Sequence, residues 1–131
     1  MAQVKIYAHK DFLDTGTTRA DISQSIHGAV MAALDYPAEK KVHRFFPMVA
    51  EDFVHMADRG GTYTIIEISL FEGRSIQARK QLIRELFTRL AASPGIEPHS
   101  VEITLTETPR ENWGIRGLPG DELTLDYQVD I

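Results

Sequence analysis

The residue of this chain best placed to do chemistry is Arg74. It lies in Glu72-Gly73-Arg74-Ser75, between the β-branched run Tyr63 to Phe71 and a helical pattern that continues to Leu90. A guanidinium at a strand-to-helix turn stands beside unpaired first-turn N–H groups, and such a place holds an anion, a carboxylate bidentately. The bland alternative is a surface arginine paired with Glu72 or another acid. A second candidate is the irregular stretch Pro109 to Asp121, with Arg116, three glycines and the chain's only tryptophan, Trp113. Function is often carried on such loops. Trp113 would either wall an apolar pocket or anchor the loop in a subunit interface. His9, His43, His55 and His99 show no ligand spacing, so no metal is expected.

Composition narrows the classes. A chain of 131 residues is one domain by length and buries a core without staples. It has no cysteine, which excludes disulfides, a catalytic thiol and Cys-ligated zinc or iron–sulfur centres. A formal net charge of -5 argues against binding along a phosphate backbone, so no nucleic-acid partner is expected. No apolar run approaches the ~20 residues of a membrane span, and no charged-then-apolar signal opens the chain. The expectation is a soluble cytoplasmic protein without a membrane partner.

The elements that must position Arg74 follow from periodicity. Val4, Ile6 and Ala8 alternate with polar neighbours, as in a strand with one buried face. Asp11 to Thr17 reads as a loop, and Thr18 with Asp21 has capping-box spacing. Ile22, Ile26, Ala29, Val30 and Ala33 then mark a helix that ends before Tyr36-Pro37. A second strand is expected from Val42 to Val49, at an edge or bulge because of Pro47. Glu51 to Thr62 is the longest connection and is expected to be mobile. After the Tyr63 to Phe71 strand, Ser75 is a plausible N-cap for a helix striped by Leu82, Ile83, Leu86, Phe87 and Leu90. Arg79, Lys80, Arg84 and Arg89 lie off that stripe and read as a solvated face, and Ser93-Pro94-Gly95 ends the helix. Val101, Ile103 and Leu105 give a fourth strand. Strict alternation of Leu123, Leu125, Tyr127, Val129 and Ile131 predicts a closing strand that lies on something.

The two halves share a grammar of strand, helix, proline and strand. Laid about 61 positions apart, they pair Ile22 with Ile83, Ile26 with Phe87, Ala29 with Leu90 and Pro37 with Pro98. Each half is a βαβ unit, approximately residues 2–50 and 63–107, followed by a loop and strand over 108–131. The fold expected is α+β: a four-stranded mixed sheet with both helices on one face. The other sheet face is expected to carry many apolar residues with no helix left to cover it, and an oligomer would cover it economically.

Tandem βαβ units joined by Glu72-Gly73-Arg74-Ser75 resemble the tautomerase superfamily, and the malonate semialdehyde decarboxylase and cis-3-chloroacrylic acid dehalogenase branch above all. His27-Gly28-Ala29 in the first helix and Asn112-Trp113-Gly114-Ile115-Arg116-Gly117 add to the likeness. The resemblance implies a trimer with active sites near subunit boundaries and no cofactor. It implies a catalytic N-terminal proline exposed by loss of Met1. Here Ala2 stands at that position, so an amine at Ala2 would take the proline's place once Met1 is removed. A free α-amine has a reference pKa of roughly 7.7–8.0, which suits a general base. The resemblance makes Arg74 one arginine of a carboxylate clamp whose earlier member falls on Phe71 or Glu72. Arg116 would supply the missing cation, and His27 would help bind substrate. An acidic residue used by the decarboxylase branch would fall near Glu39 or Lys40.

The function expected is therefore keto–enol tautomerisation of a small carboxylic acid, or a related decarboxylation, with Ala2 and Arg74 catalytic and His27, Arg74, Trp113 and Arg116 binding substrate. The alternative is a non-catalytic homotrimer that binds a small carboxylate or a protein partner.

Overall fold

The computed structural model describes residues 2–131; Met1 lies outside them. Strand β1 (Ala2–His9) leads through a short helix α1 (Lys10–Leu13) into α2 (Thr18–Leu34), then β2 (His43–Met48). The second unit is β3 (Thr64–Phe71), α3 (Ile76–Ala92) and β4 (Val101–Thr108). A small hairpin follows, β5 (Gly114–Ile115) and β6 (Leu118–Pro119). The main sheet runs β2-β1-β3-β4, with β1 parallel to β2, β3 parallel to β4, and β1 antiparallel to β3. This is the expected α+β arrangement. Among the described residues, no helix is long and apolar enough to cross a membrane.

Both central strands bury their even-numbered side chains. Val4, Ile6 and Ala8 of β1 and Thr64, Ile66, Ile68 and Leu70 of β3 are at most 1 % exposed, all toward the helices. Helix α2 answers with Ile22, Ile26, Ala29, Val30 and Leu34, and α3 with Leu82, Leu86 and Leu90. The stripes therefore match Ile22 to Leu82, Ile26 to Leu86 and Val30 to Leu90. The step of about 61 expected from sequence is odd, and an odd step would set a strand's buried face against its partner's open face. Only an even step superposes both layers.

Several local expectations change. Thr17, not Thr18, precedes α2, and its hydroxyl donates to Asp21 Oδ2 at 2.9 Å. Ser75 does cap α3, its oxygen accepting from Ala78 N at 3.0 Å. Residues 49–63 hold two short 3-10 turns and are pinned by rings. Phe53 stacks on Tyr63 at 5.5 Å, and His55 Nε2 lies 2.7 Å from His9 Nε2. The Tyr63 hydroxyl also donates to Glu102. Arg79 and Arg89 stay partly exposed, Arg89 in an i,i+4 pair with Glu85 at 2.8 Å, but each also makes a further contact. Arg79 pairs with Glu107 at 3.4 Å, and Arg89 lies over Gly28, where an added Cβ would come within 2.7 Å of its Nη1.

The expected closing strand does not form. Residues 123–131 pair with no strand, yet their burial alternates as the sequence does, with Val129 6 % exposed. A period of two reports an extended segment lying on a surface, and that surface is the head of α3 rather than a sheet edge. Val129 packs against Gly73, and Ser75 Oγ donates to Ile131 O at 3.1 Å. The uncovered sheet face carries apolar residues, as expected, but mixed with polar ones. Lys5, Arg44, Glu67 and Thr104 share it with Ile65 and the stacked Tyr7–Phe46 pair, so it is as polar as it is apolar.

Two outcomes follow from this packing. Burial against α2, with His27 nearby, pulls the His43 ring down to about pH 4, while Ser23 Oγ bonds its Nδ1 at 2.6 Å. The unfolded chain takes up that proton near pH 6.5 and the folded one refuses it until about pH 4, so stability falls as pH drops through this window. The slope from this group should be roughly 1 kcal/mol per pH unit, and denaturant unfolding of His43→Phe at several pH values should show it gone. In the loop before the tail, a Cβ on Gly120 would lie 2.5 Å from Arg110 O and 3.1 Å from Trp113 Cβ. Gly120→Ala should cost about 1–3 kcal/mol and shift Trp113 fluorescence to the red, measured on the purified variant.

Candidate functional site

The β1–β3 register decides which residues meet. Ala2 faces Leu70, one residue before the end of β3, so the start of the chain lies beside the turn that carries Arg74. Helix α2 runs back toward the start of β1 and ends at Asp35 in the left-handed conformation (φ 50°), which turns Tyr36 inward. Ala2 N donates to the Tyr36 hydroxyl at 3.1 Å, both residues being buried. The Tyr36 ring meets Tyr127 edge-on at 5.0 Å, bringing the C-terminal segment to the same spot.

Arg74 is 3 % exposed. Its Nη1 donates to Phe71 O at 3.2 Å, and its Nε and Nη2 are buried with no hydrogen-bond partner among the described residues. Burial pushes the guanidinium below its ordinary value, opposed by Tyr127, then Tyr36, then Glu107. An arginine stays cationic through such a shift. Its open N–H groups carry a cost of about 1–3 kcal/mol for a buried unsatisfied donor. Burial also raises the Tyr36 and Tyr127 phenols above their ordinary value, so both remain neutral hydroxyls at physiological pH.

One side of the site is walled by aromatics. Phe71 is fully buried beneath Trp113, edge-on at 5.1 Å, and the Arg110 guanidinium lies 5.5 Å from the Phe71 ring centre. Arg110 also ties its loop together, donating to Gly120 O at 3.0 and 3.2 Å and to Leu123 O at 3.2 Å. Lys40 reaches the outer side, 3.5 Å from Asp126 and 5.8 Å from the centre of the Tyr127 ring.

The sequence-derived candidates thus divide. Ala2, Arg74 and Trp113 converge on one end of the sheet. Arg116 does not: it is exposed, with φ 52°, in the two-residue turn of the β5–β6 hairpin, and Gly117 beside it has φ 85°. His27 is buried in α2, but its Nε2 lies 2.7 Å from Ala38 O and its ring 6.1 Å from that of His43. A carbonyl only accepts, so Nε2 carries the proton and holds the connection after α2. Glu39 is exposed. Sequence reasoning missed Tyr36, Tyr127 and Arg110. The first two had a weak signal, an aromatic just past a helix that must run back to the chain start, and an inward position in the tail's alternation. Among the described residues no group of three or more His, Asp or Glu is placed to hold a metal ion. A groove of about 650 Å³ between α2 and α3, near Ser75, Arg84 and Ile131, does not include Arg74.

The family model described as tautomerase enzyme matches residues 40–116. The 2-hydroxymuconate tautomerase of Comamonas testosteroni is 33% identical over 57 residues, which is 44% of this chain and 90% of that protein. Malonate semialdehyde decarboxylase has a solved structure with a TM-score of 0.80 at 19% identity, covering 92% of this chain and 99% of the other. The symmetric trimer of wild-type fused 4-OT gives a TM-score of 0.79 at 18% identity, covering 91% and 96%. At such identities the solved structures speak for the fold, while the family model and the closer sequence likeness speak for descent. With its paired βαβ units and an arginine turned inward at the head of the second helix, the chain belongs to the tautomerase family.

Proposed function

We propose that this protein acts on a small keto or enol carboxylic acid, by keto–enol tautomerisation or a related decarboxylation, with the carboxylate held on Arg74. The observation that carries the reading is a cation 3 % exposed whose Nε and Nη2 have no partner among the described residues. Those N–H groups lie on one edge of the guanidinium, spaced to meet the oxygens of one carboxylate. The nitrogen of Ala2 is the second component. Once Met1 is removed it is a primary amine able to take up and return a proton, and its link to Tyr36 keeps it at the same end of the sheet. Trp113 and Phe71 supply the apolar wall. The resemblance to trimeric tautomerases adds a homotrimer to this reading, with His27 and Arg116 as substrate-binding candidates whose part would depend on neighbouring subunits.

A second reading has its own support. Tyr127, on the C-terminal segment, interacts with the Arg74 guanidinium, and Ala2 stands where the resemblance implies a terminal proline. Both features suit a trimer that binds a small carboxylate without turning it over.

Arg74→Met separates a functional cation from a structural one. A structural arginine, once removed, costs stability. A cation kept for a ligand costs little or none, because its loss also removes a buried charge with open donors. The expected outcome is a thermal midpoint unchanged or higher, with a roughly 10–100-fold loss of carboxylate affinity by calorimetry. Retained affinity with a lowered midpoint would sink the proposal. Turnover of an aryl-enolpyruvate by protein starting at Ala2, abolished in the variant, would favour the enzyme over the binding module.

A further inference from the structure

We propose that Tyr36 is the positioning residue for the nitrogen that opens β1, holding it toward the Arg74 guanidinium so that a carboxylate bound there meets it. The inference rests on the carboxylate reading of Arg74 and adds to it a hydroxyl that governs the state of the Ala2 amine. The geometry is that of a buried relay. Tyr36, 5 % exposed, accepts from Ala2 N at 3.1 Å, and its charge environment includes Arg74. Tyr36 is delivered by the left-handed residue Asp35 at the end of α2, and its ring is braced by Tyr127 at 5.0 Å. The Tyr36 ring belongs to the core cluster and Tyr127 packs against it, which fixes where the hydroxyl stands.

The chemistry is set by competing effects. An amine at Ala2 would be buried and would share its surroundings with the Arg74 cation, and both conditions disfavour its protonated form. The phenol oxygen of Tyr36 works the other way, because it accepts a stronger hydrogen bond from an ammonium than from a neutral amine. The other groups that face this point are Tyr127, neutral under the same burial, Asp126 at the outer side and Glu107 behind Arg74. Tyr36 therefore both aims the amine and keeps it from being too weak a base.

The test is chemical modification of the Ala2 amine as a function of pH. It uses full-length protein released from a cleavable leader so that Ala2 is its first residue, with the extent of acylation read by mass spectrometry. Tyr36→Phe should lower the inflection by about one pH unit. Pyruvate affinity, followed by Trp113 fluorescence, should stay within about threefold. An inflection that moves by less than ~0.2 pH unit overturns the inference. If Tyr36→Phe does not fold, incorporation of 3-fluorotyrosine keeps the shape and weakens the acceptor; a smaller downward shift supports the inference, and none overturns it. Absence of pyruvate binding by the unsubstituted protein would overturn the Arg74 reading alone, since the amine titration is measured without ligand.

Discussion

The antiparallel contact between β1 and β3, in the register that sets Ile6 against Ile66, is the constraint on which the structure depends. It joins two βαβ units whose helices α2 and α3 also pack together. It sends every even-numbered side chain of both strands to the same layer, so that one core serves both halves. A slip of one residue would turn Val4, Ile6 and Ala8 to the open face and their polar neighbours inward. The same register brings Ala2 to the end of β3. The start of the chain and the turn before α3 are neighbours because the strands pair in this register.

Around that junction the molecule accepts electrostatic cost. Arg74 is buried with part of its donor capacity unused, and Arg79 Nε and Glu107 Oε2 are buried without a hydrogen bond among the described residues, although the two side chains pair through Nη1 and Oε1 at 3.4 Å. A core optimised for stability alone would place apolar side chains at such positions. The unsatisfied polar atoms gather at one end of the sheet, while the rest of the core cluster is mostly Ile, Leu, Val and Ala. The neutral phenols of Tyr36 and Tyr127 moderate the cation without discharging it.

The segments after β4 matter as much as the repeat. Arg110, Trp113 and Gly120 form a compact loop over Phe71, and the chain then crosses the head of α3 by way of Tyr127 and Val129. Gly73, at φ 139°, has a backbone conformation only glycine adopts readily, and Val129 packs where a side chain would project. The Gly73-Arg74-Ser75 turn and the tail are thus fitted to one another.

Much of this was legible in the residues. Alternation at Val4, Ile6 and Ala8, helical steps from Ile22 and Leu82, the cap at Ser75 and the edge position of Pro47 each depend on neighbours a few positions away, which periodicity records. So did the prominence of Arg74, since a cation at the head of a helix is a local arrangement. Tertiary structure decided the rest. The parity of the repeat came from which strand faces share a core. The tail at Leu123 to Ile131 lies on a helix head because alternation reports one buried side and is silent about hydrogen-bond partners. His27 was drawn to a carbonyl and Arg116 to the tip of a hairpin by the paths of the loops around them. Tyr36 and Tyr127 stand 91 positions apart in the chain. Only folding could place their hydroxyls beside Ala2 and Arg74, because that meeting depends on strand register and helix direction, which no short stretch of sequence contains.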